Sequence, residues 1–481
     1  MKQRIKPWQL AVGVFLYLLP CLFFAYRLWL WTDYPTDASV FTYIAKAMTM
    51  GQLPYRDVFD HKCPVIYWIY YIPYVIFRNP AITMFVLFVV GYGLLMWFVW
   101  RLFKQFEIES HWFLLAWLVC LPIFFSHELL VPEFFAAIFL AMTLALPIRY
   151  VRGGTAKYSE LFWFGIGAGL AFWMKPNVSI CWLAPACLML VMGLKRDKDE
   201  RQRIVGYIGS CGLGFAVVTA ICVGWCLMLG ILDDMLSCMS ANSGYISLYV
   251  PMILSFKYIA CIVCLIFGFI VFYPMIRRDK SYLGWYVCLA VEVLVLNMSF
   301  VSSTWYFFTL IPLLMIMFGF MCQTGNELAA KRVFMLASVV IWMVFAVGYE
   351  YVSGYGRRTV ADCYEQAILE IAQPGDTVFL SGNTLQPLLR TGYMCSSKFI
   401  YQLVPVKDLC SEIEDDIMSN PPDFIVVLGE KQDGYQFTYP HLWYENLSTM
   451  VDFIEENYEK VLDVPYASTN RYVIALRFMG E

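Results

Sequence analysis

The segment "PVIYWIYYIPYVIFR", Pro64 to Arg78, decides how the chain is threaded through a bilayer. It is apolar throughout, but it is only 15 residues long and Pro73 interrupts it. A membrane-crossing helix needs about 20 apolar residues. This segment therefore suits a helix lying in the interface or re-entering the bilayer. Apolar runs of roughly 18 residues or more recur over the first 350 residues, at about 8–30, 81–103, 111–127, 131–149, 160–175, 177–194, 204–230, 252–276, 281–300, 305–322 and 332–350. Positive charge gathers at "MKQRIK", Arg101–Lys104, Arg149–Lys157, Lys195–Arg203, Arg277–Lys280 and Lys331-Arg332. With about eleven spans every one of these clusters falls on the cytoplasmic side, as the positive-inside rule asks. A twelfth crossing at Pro64–Arg78 would move every later cluster outside. The segment is accordingly read as not spanning, and residues 31–80 become one long loop on the outer face.

Composition agrees. Hydrophobic residues make up 60% of the 481-residue chain and charged residues 15%, against about 25% charged in a soluble domain. The uninterrupted apolar runs exclude a closed barrel, whose strands alternate polar and apolar. The first apolar run is too long for a cleavable signal and no small-x-small site follows it, so it is read as an uncleaved span with the N-terminus in the cytoplasm. From Tyr351 onward there are 9 Lys+Arg and 19 Asp+Glu, whereas the preceding 350 residues carry 25 and 18. A basic-edged membrane domain, 1–350, is thus followed by an acidic, extracytoplasmic domain, 351–481. An acidic outer domain argues against nucleic acid as a partner. Within it the helix-like Asp362–Ala372, "DLCSEIEDDIMSN" and "NLSTMVDFIEENYEKVL" alternate with the strand-like "TVFLSG", "PPDFIVVLG" and "RYVIALRF", which predicts a small α/β domain with a partly parallel sheet. No G-x-G-x-x-G and no P-loop accompanies it, so no nucleotide is expected. The fold class is an α-helical polytopic membrane protein with a small C-terminal α/β domain. Most of the 16 cysteines fall in apolar helices as small hydrophobes. Cys363, Cys395 and Cys410 lie in polar sequence, where an outer disulfide could form, with no pairing deducible. In "GIGAGLAFW", Gly165–Trp173, small residues recur at helix-packing spacing.

The outer loop collects Asp37, Lys46, Arg56, Asp57, Asp60, His61 and Lys62 in the stretch "TDASVFTYIAKAMTMGQLPYRDVFDHKCP", Thr36 to Pro64. Thr36 reads as an N-cap, Asp37 as first-turn acid and Gly51 as the stop of a short amphipathic helix. Its stripe of Val40, Tyr43, Ile44, Ala47 and Met48 is expected to face the membrane. An ordinary charged loop with i,i+4 pairs Arg56–Asp60 or Asp57–His61 is the bland alternative. Both signs occur at head-group depth, however, where simple anchoring would favour Lys and Arg alone. Such parts suit glycosyl transfer from a lipid-linked phosphosugar. A carboxylate takes the acceptor's proton, and basic groups receive the leaving phosphate where it emerges from the bilayer.

The loop resembles the first outer loop of the GT-C glycosyltransferases, in the protein O-mannosyltransferase and aminoarabinose-transferase-like branch found in bacteria. Those enzymes carry an Asp at the position of Asp37, a small-residue and aromatic helix, then "G-x-x-P-Y-R-D-x-F-D-H-K-G/P-P"; here the match is "GQLPYRDVFDHKCP". The resemblance covers about 30 residues, with weaker echoes at Glu133, at Lys175-Pro176 and in "TWYFFTLIPLL". It implies that Asp37 is the general base and that Lys62 binds the donor phosphate, helped by Arg56 and His61. Asp57 and Asp60 then orient those basic groups, and Glu133, Lys175, Tyr55 and Tyr306 are candidate substrate contacts. The implied donor is a polyprenyl-phosphate sugar attacked in one step with inversion, in contact with membrane lipids and an unknown acceptor. No cofactor is implied, although some relatives bind a divalent metal near this loop. This chain departs from the pattern at Ala38, where many relatives have Glu, at Cys63, and in lacking a His before Tyr306. The rival class is a transporter or flippase of lipid-linked sugars, which would favour mid-membrane charges and internal repeats.

Several other residues leave alternatives open. Asp33 competes with Asp37 for the base role. Glu133 suits function or structural pairing equally, and Lys175 could simply snorkel to the interface. His61, His127, Glu128 and Glu133 together have no local metal-ligand spacing. Asp233-Asp234 reads as solvated loop, and the loop Ile231 to Val250 as a candidate sugar contact. The aromatic run Tyr67–Tyr74 reads as interface anchoring, with prenyl contact as the sharper alternative.

Overall fold

The computed structural model describes residues 6–29, 34–125, 128–249, 279–298, 307–323, 361–380, 385–400, 407–430, 448–466 and 471–479, with single positions between 265 and 277. Asp33, His127, Tyr306 and the expected span at 332–350 lie outside these residues, as does most of 252–276.

Helix α1 (Pro7–Trp29) is followed by two short helices, α2 (Thr36–Thr49) and α3 (Pro64–Phe77), before the long α4 (Pro80–Gln105). At about 1.5 Å per residue the 14 residues of α3 reach about 21 Å, short of the ~30 Å hydrocarbon core. Arg78, in the left-handed region at φ 50°, ends α3, and Asn79 restarts the chain by accepting the Ile82 N–H at 3.0 Å. Next come α5 (Ser110–Cys120) with a 3₁₀ turn to Phe125, α6 (Pro132–Thr143), α7 (Ala145–Val151) and α8 (Tyr158–Phe172). The turn Pro176–Ser179 leads into α9 (Ile180–Leu194), and α10 (Lys198–Leu229) and α11 (Leu232–Tyr249) follow. Among the described residues four helices are long and apolar enough to cross a membrane, or five if α6 and α7, bent by 46°, form one span. Further apolar helices, α12 (Ser281–Met298) and α13 (Phe307–Gln323), cover two more of the expected ranges.

Close packing follows the small residues. Gly165 of α8 lies against the Cys211 carbonyl of α10, and Gly214 of α10 lies against the Phe162 carbonyl of α8. A Cβ at either position would run into backbone, so the glycines are what let these two helices meet. Between α1, α4 and α5 the aromatic side chains satisfy their own polar tips. The Tyr92 hydroxyl donates to Leu16 O at 2.8 Å and accepts the Trp117 Nε1–H at 2.7 Å.

Two readings of the loop region change. α2 does not lay an apolar stripe on a membrane: Ala38 through Ala45 and Ala47 are all buried, and the Tyr43 hydroxyl accepts the Cys395 N–H at 2.8 Å. Buried all round, it behaves as a core helix rather than a surface one. The segment expected as a loop is helical over Leu232–Tyr249. Ile231, Met235 and Cys238 are buried at i, i+4 and i+7, the spacing that seats one face of α11 against its neighbours.

The C-terminal part holds a helix over 361–371 (α14), α15 (Gln386–Thr391), α16 (Lys407–Ser419) and α17 (Ser448–Asn457). Its strands are β1 (Val378–Leu380), β2 (Phe424–Glu430), β3 (Tyr458–Tyr466) and β4 (Arg471–Phe478), in the order β1-β2-β4-β3. β1–β2 is parallel and the other pairs are antiparallel, as the alternation of elements predicts. One correction applies: the helix stops at Asn457, and "YEKVL" belongs to β3. Pairing from Tyr458↔Phe478 to Tyr466↔Arg471 closes a hairpin whose ladder overrides the local helical pattern. Cys363 and Cys395 are free thiols, while the Cys410 side chain is outside the described set.

The charge-based topology is tested by thiol labelling in intact cells with a membrane-impermeant reagent, against the unsubstituted chain. Met50→Cys should label directly and Lys198→Cys only after permeabilisation; the reverse pattern would invert the orientation.

Candidate functional site

The short loop between α2 and α3 is folded tightly by its own polar groups. Gly51, at φ 89°, turns the chain out of α2. Tyr55 also sits in the left-handed region, at φ 71°, a conformation that costs a bulky residue about 1–3 kcal/mol. Its buried hydroxyl donates to the Lys62 carbonyl at 2.9 Å, and the Tyr67 hydroxyl of α3, 3.0 Å from the same oxygen, shares its one proton between that carbonyl and Asp60. Two phenols thereby fix the backbone at Lys62. Asp60, 1% exposed, accepts the Tyr67 hydroxyl at 2.9 Å and the His61 N–H at 2.8 Å. The Nδ1 of His61 lies 3.3 Å from Asp60 Oδ1, and its Nε2 meets Lys62 Nζ. That order suits a neutral imidazole with its proton on Nδ1, accepting from the ammonium through Nε2. Burial, then the neighbouring Lys62 charge, pushes the His61 pKa down. The Lys62 pKa is also lowered by burial, against the opposing pull of Asp60 and Asp37.

The start of α3 is tied to the end of α8. Cys63 N–H donates to Met174 O at 3.4 Å and Val65 N–H to Trp173 O at 3.1 Å. Orphan donors of one helix meet the last carbonyls of another, and Lys175 arrives beside the loop. Its Nζ pairs with Glu133 Oε1 at 2.6 Å, in the first turn of α6, where Glu133 is fully buried. Such a partner is what a buried carboxylate requires.

Asp37, half-buried in the first turn of α2, stands within the field of Lys62, Lys175, Glu128 and Glu133. Its pKa is raised to about 7, first by burial and then by Glu128, with Lys62 and Lys175 opposing. The expected N-cap, Thr36, is instead the first helical residue after Pro35, and its side chain caps nothing. The Thr36 and Asp37 N–H groups donate to Glu128 Oε1 and Oε2, each at 3.3 Å. Ninety residues of chain separate donor and acceptor, so no local signal marks Glu128 as a cap.

Of the sequence-predicted residues, the structure gathers Asp37, Asp60, His61, Lys62, Glu133 and Lys175, with Tyr55 beneath Lys62. Arg56 is held at the α10–α11 junction. Its guanidinium pairs with Asp234 at 2.9 Å and donates to the Gly230 carbonyl at the α10–α11 junction. Asp57 orients no basic group; its Oδ2 accepts the Leu53 N–H at 2.7 Å and closes the loop. Neither i,i+4 pair forms as read, because each group has a nearer partner. Tyr67, Tyr70 and Tyr74 of α3 turn inward, Tyr70 donating to Leu130 O at 2.7 Å, while Ile72, Val75, Ile76 and Phe77 are the exposed side.

The C-terminal part closes over this cluster. Phe59 N–H donates to Lys398 O at 2.7 Å, and the rings of Phe59 and Phe399 lie 5.1 Å apart. Lys46 Nζ donates to Gly392 O at 2.6 Å and Tyr393 O at 3.3 Å at the end of α15. Burial brings the Lys46 pKa down to about 8.

No protein-family model matches the chain, and no curated protein matches it. Solved structures do. The chain is similar to ArnT from Cupriavidus metallidurans bound to undecaprenyl phosphate, with TM-score 0.57 at 13% identity over 97% of this chain and 97% of that one. The same protein in the apo state gives 0.55 at 14% identity with the same coverage. The chain shares the fold of ArnT. The likeness to that fold runs along nearly the whole chain.

Lys175→Met leaves the Glu133 carboxylate buried without its cation and should cost about 3–5 kcal/mol. Thermal unfolding in detergent should show that loss, and Glu133→Gln in the same chain should recover most of it. Equal stability of the single variant and wild type would show that the pair carries little.

Proposed function

We propose that the chain is a glycosyltransferase that moves a sugar from a polyprenyl-phosphate donor to an acceptor hydroxyl at the outer face of the cytoplasmic membrane. The observation carrying this reading is the half-buried carboxylate of Asp37 in the first turn of α2, within the electrostatic field of the Lys62 ammonium in the adjoining polar loop. The ArnT fold adds weight, since ArnT has been crystallised with undecaprenyl phosphate. About eleven spans, a membrane domain 1–350 and an outer domain 351–481 belong to the same proposal.

In this mechanism Asp37 takes the proton of the acceptor hydroxyl. The acceptor oxygen forms the new bond to the anomeric carbon as the bond from that carbon to the phosphate oxygen breaks, with inversion. Polyprenyl phosphate leaves with the bonding electron pair, its negative charge received by Lys62 and, where it reaches, Lys175. His61 and Asp60 hold Lys62 in place. Tyr55 and Tyr67 act through the Lys62 backbone rather than on substrate. Arg56 keeps a structural part at the α10–α11 junction. The flippase alternative gains no specific observation.

Transfer from radiolabelled polyprenyl-phosphate sugars in membranes is the test. Asp37→Asn should lower it by about 10²-fold or more, and Lys62→Ala should lower it strongly as well, with both proteins folded. A base works ionised, so a pKa near 7 predicts that wild-type transfer rises with pH through about 7. Full transfer by folded Asp37→Asn would remove this residue from the chemistry.

A further inference from the structure

Glu128 belongs to a short strap that enters α6. The residues after it, Leu129, Leu130 and Val131, are fully buried, and Glu128 itself is 5% exposed. Leu130 is held at φ 64°, a left-handed conformation unfavourable for leucine. The Tyr70 hydroxyl accounts for its carbonyl at 2.7 Å. The strap is therefore fixed by burial and by α3, and it presents the Glu128 carboxylate to the first two N–H groups of α2 in bidentate fashion. Those donors, at the positive end of a helix, suit an anionic carboxylate. The second of them is the N–H of Asp37 itself.

Resting on the reading of Asp37 as base, we propose that Glu128 is a positioning residue that holds Asp37 at the head of α2 and, as a neighbouring like charge, sets the pH at which Asp37 begins to work. Two effects run through one contact. Hydrogen bonds to the backbone fix where the Asp37 side chain starts, so its placement at the head of α2 depends on the strap. The negative charge beside it disfavours a second ionised carboxylate, so Asp37 holds its proton to higher pH than burial alone would require. Among the described residues, the other groups acting on Asp37 are Lys62 from the loop, Lys175 beyond α8, Glu133 of α6 and, from α3, the Tyr70 phenol. Both lysines act in the opposite sense to Glu128, and Glu133 acts more weakly in the same sense. A base whose pKa lies near the working pH combines a usable ionised fraction with a strong pull on the acceptor proton. Glu128 supplies that poise.

The test is the pH profile of sugar transfer for Glu128→Gln and Glu128→Asp beside wild type and Asp37→Asn. Glutamine keeps an acceptor for the helix but removes the charge. Its acid limb should move down by about 1 pH unit. At pH 6 the variant should then retain about a 5-fold larger share of its own maximal rate than wild type. Aspartate keeps the charge but draws it back by one methylene, so its limb should fall between the two; this variant decides the matter if glutamine fails to fold. A uniform loss of rate at every pH, with the limb where wild type has it, would leave Glu128 a helix cap and overturn the inference. If Asp37→Asn is inactive in that case, the base reading survives alone. If folded Asp37→Asn transfers normally, both fall.

Discussion

The two hydrogen bonds from the head of α2 to Glu128 fix the relation on which the site depends, that between the α2–α3 loop and the membrane helices. A helix N-terminus leaves donors that need acceptors. α2 begins after a proline and its own Thr36 side chain supplies no cap, so its acceptors come from a strap ninety residues away. A cap is worth about 1 kcal/mol in an ordinary helix. Here it also joins two parts of the chain that no sequence neighbour connects. The strap in turn is locked by the Tyr70 hydroxyl of α3, so α2, α3 and the entry to α6 form one closed unit.

Charge in an apolar setting needs a partner, and the cluster obeys that rule by pairing both within the loop and across elements. Glu133 meets Lys175, Asp60 meets His61 and Tyr67, and Lys62 meets His61. Asp37 has its position held through the backbone while its carboxylate stays partly open. Groups paired in the structure and the partly open Asp37 carboxylate thus lie within one small volume. Arg56 illustrates the first kind. It is near the cluster in sequence, but Asp234 and the Gly230 carbonyl take its guanidinium.

Residues 385–400 complete the enclosure. The Tyr43 hydroxyl, Lys46 and Phe59 each contact the backbone there, and Tyr34 N–H reaches Gln386 Oε1 at 3.2 Å. α2 is consequently a core helix between the membrane bundle and the C-terminal part, which explains why nearly every face of it is buried.

Periodicity, proline placement and charge were enough to give the helical membrane class, the shortness of α3, the stop at Gly51 and the mixed α/β character after residue 360. Those features depend on residues close together in the chain. The group Asp37, Asp60, His61 and Lys62 was equally legible, because the loop motif keeps them within thirty residues. Contacts across long separations were not. Nothing local marks Glu128 as the cap of α2, Asp234 as the partner of Arg56, or residues 392–395 as the cover over Tyr43 and Lys46. Nor does local pattern show that "YEKVL" would leave its helix to pair with β4. Each of these was decided by which polar group or strand edge lay nearest once the helices had packed, and a buried donor or charge takes the partner that packing brings to it.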